Sequence, residues 1–109
     1  MSVSAIITHP QNKYEETFSI PIATQSFFNK YWIKAIEETQ GELITGFMYG
    51  IDISKKDIPE LLRQLFQVKE WVNKNIFGED SEHMLKRINL LIEQLPLAFN
   101  RYDAIVFIG

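Results

Sequence analysis

Apolar and polar positions change their period several times along the 109 residues. Residues 3–8 alternate weakly, as a β-strand does, and Pro10 closes that run after His9. PQNKYEE, residues 10–16, reads as a polar turn. Clean alternation returns over 16–22. Phe18, Ile20 and Ile22 fall on one face, with Thr17, Ser19 and Pro21 on the other. A proline inside a strand places that strand at a sheet edge. The two runs therefore predict an N-terminal hairpin with its second strand outermost.

The period then lengthens to that of a helix over 24–41. Phe27, Phe28, Tyr31, Trp32, Ala35 and Ile36 make one apolar stripe, Thr24 or Ser26 can cap the start, and Gly41 suits the end. LITGFMYGIDIS, residues 43–54, reads as a strand with two unlike faces. Leu43, Thr45, Phe47, Tyr49, Ile51 and Ile53 form the bulky one. Gly46 and Gly50 share the other with Met48 and Asp52. Glycine weakens a strand interior, so two on one face need a reason. A closely packed helix carrying Trp32 or Phe28 would supply one; a β-bulge or a bound ligand are the alternatives.

Two more helical stripes follow. Ile58, Leu61, Leu62, Leu65, Val68, Val72 and Ile76 form the first. Ser54 and Asp57 compete to cap it. Asp57 is preferred, because it puts Pro59 in the first turn, where no backbone bond is lost, and Glu60 at capping-box spacing. Phe66 flanks this stripe, Lys69 falls inside it and Trp71 lies off it. Gly78 ends the helix. Met84, Leu85, Ile88, Leu91, Ile92 and Leu95 make the second stripe, capped by Asp80 or Ser81 and stopped by Pro96. Ala104 to Ile108 are all apolar, the pattern of a central strand buried on both faces, often beside a parallel neighbour. The order is β-β-α-β-α-α-β. It predicts one α+β domain over residues 1–109, with a four-stranded mixed sheet and three helices mainly on one face.

Composition narrows the class. Hydrophobic residues reach 46% and aromatics 13%, enough for one packed core and against disorder. There is no cysteine, which removes disulfides, thiolate catalysis and cysteine-bound zinc. The start of the chain lacks the basic and long apolar regions of a signal peptide, and no stretch approaches a membrane span. A cytoplasmic protein is the expectation. The net charge is −3. Lysines and arginines are scattered, so neither nucleic acid nor membrane is expected as a partner.

Candidate chemistry is sparse. The only histidines are His9 and His83, and neither has metal-ligand spacing. No nucleophile turn, phosphate loop or cofactor motif appears, so no metal or cofactor is expected. Glu79, Asp80 and Glu82 sit where a helix N-terminus favours acids. Glu37 and Glu38 sit at a helix C-terminus, where the dipole gives no help, with Glu42 just beyond.

Two function classes follow. The first is a small acidic protein-binding module, such as an immunity or antitoxin-type inhibitor, whose acidic surface steers a basic partner protein toward it. Glu37, Glu38, Glu42 and Trp71, with Gly46, Gly50 and Asp52, are its candidate contact residues. The alternative is a small enzyme or ligand-binding domain using His9, Asp52 and Asp103 around the Gly46/Gly50 strand face. Oligomeric state stays open.

Overall fold

The computed structural model describes residues 2–109. Four strands, β1 (Ser2–Thr8), β2 (Ser19–Thr24), β3 (Ile51–Ile53) and β4 (Ile105–Ile108), make one sheet in the order β2-β1-β4-β3. The N-terminal hairpin forms, with β2 at the edge and β4 in the interior. Every neighbouring pair is antiparallel, so the sheet is not mixed.

Burial along the strands alternates. Val3, Ala5, Ile7, Ile20, Ile22, Ile53, Val106 and Ile108 are buried on one face. The other face carries Ser4, Ile6, Pro21, Asp52, Ile105 and Phe107, of which none is buried. The run 104–108 is therefore covered on one side only. This is the usual state of an antiparallel sheet, whereas a continuous apolar run suggested a two-sided cover.

The edge at β2 is closed to further pairing. Pro21 has no N–H to offer, and its carbonyl accepts Arg87 Nη1 at 3.2 Å.

Helices occupy the buried face. Where a polar turn is expected, Asn12 caps a short helix, α1 (Lys13–Thr17), by accepting the Glu15 amide at 2.9 Å. The 24–41 stripe forms α2 (Gln25–Phe27) and α3 (Ile33–Thr39), joined by a π-turn over Phe28–Trp32. Phe28 and Trp32 are both fully buried, with parallel rings 6.1 Å apart, and Phe47 meets Trp32 at 6.2 Å. Gln40, not Gly41, takes the left-handed conformation that ends α3 (φ 56°).

The largest departure from the sequence pattern is LITGFMYGIDIS. Only Ile51–Ile53 is strand. Glu42–Thr45 is a helical turn, α4, continued by a 3₁₀ turn over Gly46–Met48. The cause sits 20 residues downstream. Gln64 is buried, and its Oε1 accepts the amides of Leu43 at 2.9 Å and Ile44 at 3.1 Å. Those are two orphan donors of a helix start, so a helix becomes the cheaper conformation for the segment. Ile44 and Phe47 then fall three apart on one buried side.

The long helices are α5 (Ile58–Asn75) and α6 (Gly78–Gln94). The Asp57 carboxylate turns back to accept the Ser54 amide at 2.9 Å and hydroxyl at 3.0 Å. Ser54 thus begins the turn. A 3₁₀ turn over Lys55–Asp57 leads into α5, and Pro59 falls in its first turn without losing a bond. Gly78 does not end α5 but opens α6, with a φ of 71°. Asp80 and Ser81 fall inside its first turn, and Asp80 accepts the Tyr31 hydroxyl instead of capping. The helix stops at Gln94, ahead of Pro96, and a 3₁₀ turn follows.

Gln64 is itself held in place. Its Nε2 donates to Glu60 Oε2 at 2.8 Å, and Arg63 binds the same carboxylate. The Arg63 guanidinium, with Gln64, holds the Glu60 carboxyl down at about 2. Gln64→Met keeps the side-chain volume but removes the acceptor from two backbone amides. We expect a loss of about 1–3 kcal/mol. The urea unfolding midpoint checks this; a change below about 0.5 kcal/mol would show that α4 does not rely on the carboxamide.

Candidate functional site

The segment that Gln64 winds into α4 delivers Tyr49 to the surface. Tyr49 is 80% exposed, among the most exposed large side chains of the fold. It stands beside a groove of about 550 Å³. Ile36, Glu37 and Gln40 from α3 and its cap line one side, and Glu42, Thr45 and Met48 line the other. The left-handed Gln40 and the Gly41 that follows turn the chain between α3 and α4, so Glu37 and Glu42 face one space. Among the described residues neither has an ion-pair partner, and Glu38, exposed next to Glu37, has none either. Elsewhere Glu15, Glu60, Asp80 and Asp103 are paired, while other acids such as Glu16, Glu70 and Glu93 are not, among the described residues.

The two glycines serve separate contacts. A Cβ on Gly46 would stand 2.6 Å from the Ile51 side chain. Gly50 has a φ of 91°, and a Cβ there would stand 2.8 Å from the Phe107 ring. They do not share a face. Ile51 and Phe107 fill the space over them, not Trp32 or Phe28. Gly50 does border a second, smaller cleft of about 210 Å³, which shares Met48 and Tyr49 with the acidic groove.

Asp52 lies on the open sheet face, exposed and paired in register with Phe107. Trp71 is turned inward and only 9% exposed, which removes it from the surface. Its indole N–H and that of Trp32 are buried without a hydrogen-bond partner. Lys69 lies over the Phe66 ring at 5.9 Å and meets neither Asp52 nor Asp103.

Asp52 is held apart from His9. Thr8, just before His9, pairs with Ile105, while Asp52 pairs with Phe107 on the far side of β4. Two strand spacings of about 4.8 Å each hold the β3 and β1 backbones roughly 10 Å apart before any offset along the strands. Asp103 binds Arg101 Nη1 at 2.9 Å. Among the described residues no group of three His, Cys, Asp or Glu side chains is placed to hold a metal ion. No helix among them is long and apolar enough to cross a membrane.

Two other surface depressions differ from the groove in their charge and commitments. One of about 490 Å³ along α6 is lined by His83, Lys86, Arg87 and Glu93. Its charges are mixed, Arg87 is committed to Pro21, and His83 packs edge-on against Phe27. Another, of about 390 Å³, gathers Ser54, Lys55, Lys56 and Tyr102. Ser54 is engaged there by Asp57.

The sequence pattern missed a partly buried ion pair. Glu15, in α1, is almost wholly buried and accepts Arg101 Nε at 3.0 Å and Nη2 at 2.9 Å. It also accepts the Gln11 amide at 2.9 Å. The residues are 86 positions apart, so no local signal joins them. Arg101, then the Gln11 amide, hold the Glu15 carboxyl below the ordinary value of 4.5.

Comparison of the chain with models of protein families, with curated proteins and with solved structures found no match.

The depressed Glu15 value sets a pH dependence. The folded protein binds that proton less readily than the unfolded chain does, so the pair's stabilisation is complete above about pH 4.5. It is lost as pH falls through the lower folded-state value. Glu15→Gln should be less stable at pH 7 and should lose this part of the acid slope. Urea midpoints from pH 7 to 3 check it: parallel curves for both proteins would refute the assignment.

Proposed function

We propose that this protein is a binding module for another protein, of the immunity or antitoxin-inhibitor kind, and that its contact surface is the acidic groove beside Tyr49. One observation carries the reading. Glu37 and Glu42, with no ion-pair partner among the described residues, line one groove with a tyrosine that is 80% exposed, and Glu38 is exposed beside Glu37. Leaving them unpaired gives folding nothing, while a basic partner would gain from all three. Tyrosine supplies contact area at low entropic cost and is enriched where proteins meet. The net charge of −3 acts in the same direction over longer range.

The test is capture from native lysate with the wild-type protein and with Glu37→Lys/Glu38→Lys/Glu42→Lys. A captured protein is identified by mass spectrometry, purified and recombined with each form. We expect a reconstituted complex with wild type that weakens between 50 and 300 mM salt, and at least a tenfold loss of affinity in the triple variant. Equal binding by both forms would overturn the proposed surface.

A further inference from the structure

β4 is apolar on both faces but covered on one. Val106 and Ile108 are buried beneath the helices, while Ile105 and Phe107 lie on the other face and are only half-buried. Beside them on β1, Ile6 is 42% exposed. An antiparallel sheet with one face in water ordinarily alternates apolar-in with polar-out. Three large apolar residues in the middle of the outer face depart from that rule.

The strand registers lay this face out in rows. Ser19, Ile6, Phe107 and Asp52 form one row across β2, β1, β4 and β3. Pro21, Ser4 and Gly109 form the next, and Thr8 with Ile105 lie on the other side. Asp52, at the β3 margin, is the one charged residue among them. In a chain that is 23% charged, so neutral a face is set apart from the rest of the surface. At the opposite margin stands Arg87 of α6. Its Nη1 donates to the Pro21 carbonyl, and it has no ion pair among the described residues.

We propose that the open face is covered by the same face of a second copy, related by a two-fold axis that runs along the strands between the two sheets. That rotation lays β3 of each copy over β2 of the other, and β1 over β4. Ile6 of each copy then falls over Phe107 of the other, with the sheets about 10 Å apart. Asp52 of each copy comes above Ser19 of the other, one row from the carbonyl that holds Arg87. A carboxylate is a stronger acceptor for that guanidinium than a carbonyl is, and the two-fold makes the contact twice.

Charge decides both the occupant and the axis. A two-fold across the strands would lay β3 over β3 and oppose the two Asp52 carboxylates. A basic partner would find a single acid at the margin of this face, and a nucleic acid or anionic membrane would find no cation on it. A second copy brings a face as neutral as this one and a cation for each Asp52. Four strands of this length offer a footprint of roughly 400 Å² from each copy. That is about half of the ~800 Å² each partner gives to a standard interface. The dimer is therefore weak, half-dissociated at a concentration on the order of 100 µM. Its interface is separate from the acidic groove, whose lining comes mainly from α3 and α4 in the helical layer, so either can fail without the other.

Sedimentation equilibrium of the full chain from about 5 µM to about 1 mM brackets that range. Salt at about 150 mM screens the net charge of −3 on each copy. We expect Ile6→Lys to weaken association at least tenfold with thermal melting unchanged, because Ile6 is exposed in the single chain. Asp52→Lys and Arg87→Glu should each weaken it about threefold or more. An equimolar mixture of those two variants should recover wild-type association, because in the mixed dimer the swapped charges attract and the other contact is native. Should Arg87→Glu fail to fold, concentration-dependent NMR shifts of the wild type decide instead. They are expected at Ser4, Ile6, Thr8 and Phe107 and not on α5. A monomer at every concentration, association unchanged by Ile6→Lys, a mixture no tighter than its separate components, or shifts confined to other surfaces overturns the proposal.

Discussion

A single buried carboxamide organises the part of this protein that meets solvent most conspicuously. Gln64 gives its oxygen to the amides of Leu43 and Ile44 and its nitrogen to Glu60. A buried amide left without such partners costs about as much as a whole hydrogen bond contributes, so each of these groups constrains the others. The consequence is a helical turn where the residue alternation describes a strand. From that turn follow the short β3, the bend at Gly50 and the outward placement of Tyr49. Gly41 fits this arrangement closely: a Cβ there would stand 2.6 Å from Gln64 Oε1.

The sheet obeys a different constraint. Four short antiparallel strands are covered by helices on one face, and the hairpin edge is blocked by Pro21 and Arg87. The open face carries Ile6, Pro21, Ile105 and Phe107, of which Ile6 is exposed and Ile105 and Phe107 are partly shielded. Phe107 lies against the bare backbone of Gly50 and Gly109, where a side chain would collide with the ring. The same geometry that shelters Phe107 shapes the small cleft beside Tyr49. Stability of the sheet margin and the form of the surface therefore have one origin.

Charges divide into two populations. Glu15, Glu60, Asp80 and Asp103 are bound by Arg101, Arg63, Lys30 and Tyr31, and the Glu15–Arg101 pair ties α1 to the loop before β4. Of that pair only Glu15 is buried; Arg101 is partly exposed and also holds Asp103, so the cost of loss falls chiefly on Glu15, whose carboxylate would be left buried without its cation. Glu37, Glu38 and Glu42 belong to the second population. Glu37 and Glu42 line a groove with Tyr49, and among the described residues none of the three has an ion-pair partner. Other described acids, among them Glu16, Glu70 and Glu93, also lack an ion pair, so it is the groove shared with Tyr49 that sets Glu37 and Glu42 apart.

Residue pattern by itself determined the α+β class, the hairpin with β2 outermost, the stripes of α5 and α6, the stop before Pro96 and an interior β4. Each rests on local period, on proline chemistry or on a run of apolar residues, and these act within a few neighbours. Tertiary structure decided the rest. Alternation in LITGFMYGIDIS was overridden by Gln64, whose position on the apolar stripe of α5, between Leu61 and Leu65, was the one visible sign of a buried polar role. Trp71, off the stripe by period, is turned inward. Glu15 looked like part of a polar turn until Arg101 arrived from 86 residues away. The candidate site divides the same way. The acids Glu37 and Glu42 were legible as unhelped charges near a helix end, but their groove with Tyr49 was not. Local sequence reports the energy of near neighbours, whereas a groove is defined by which distant backbone groups find partners and which side chains are left without them.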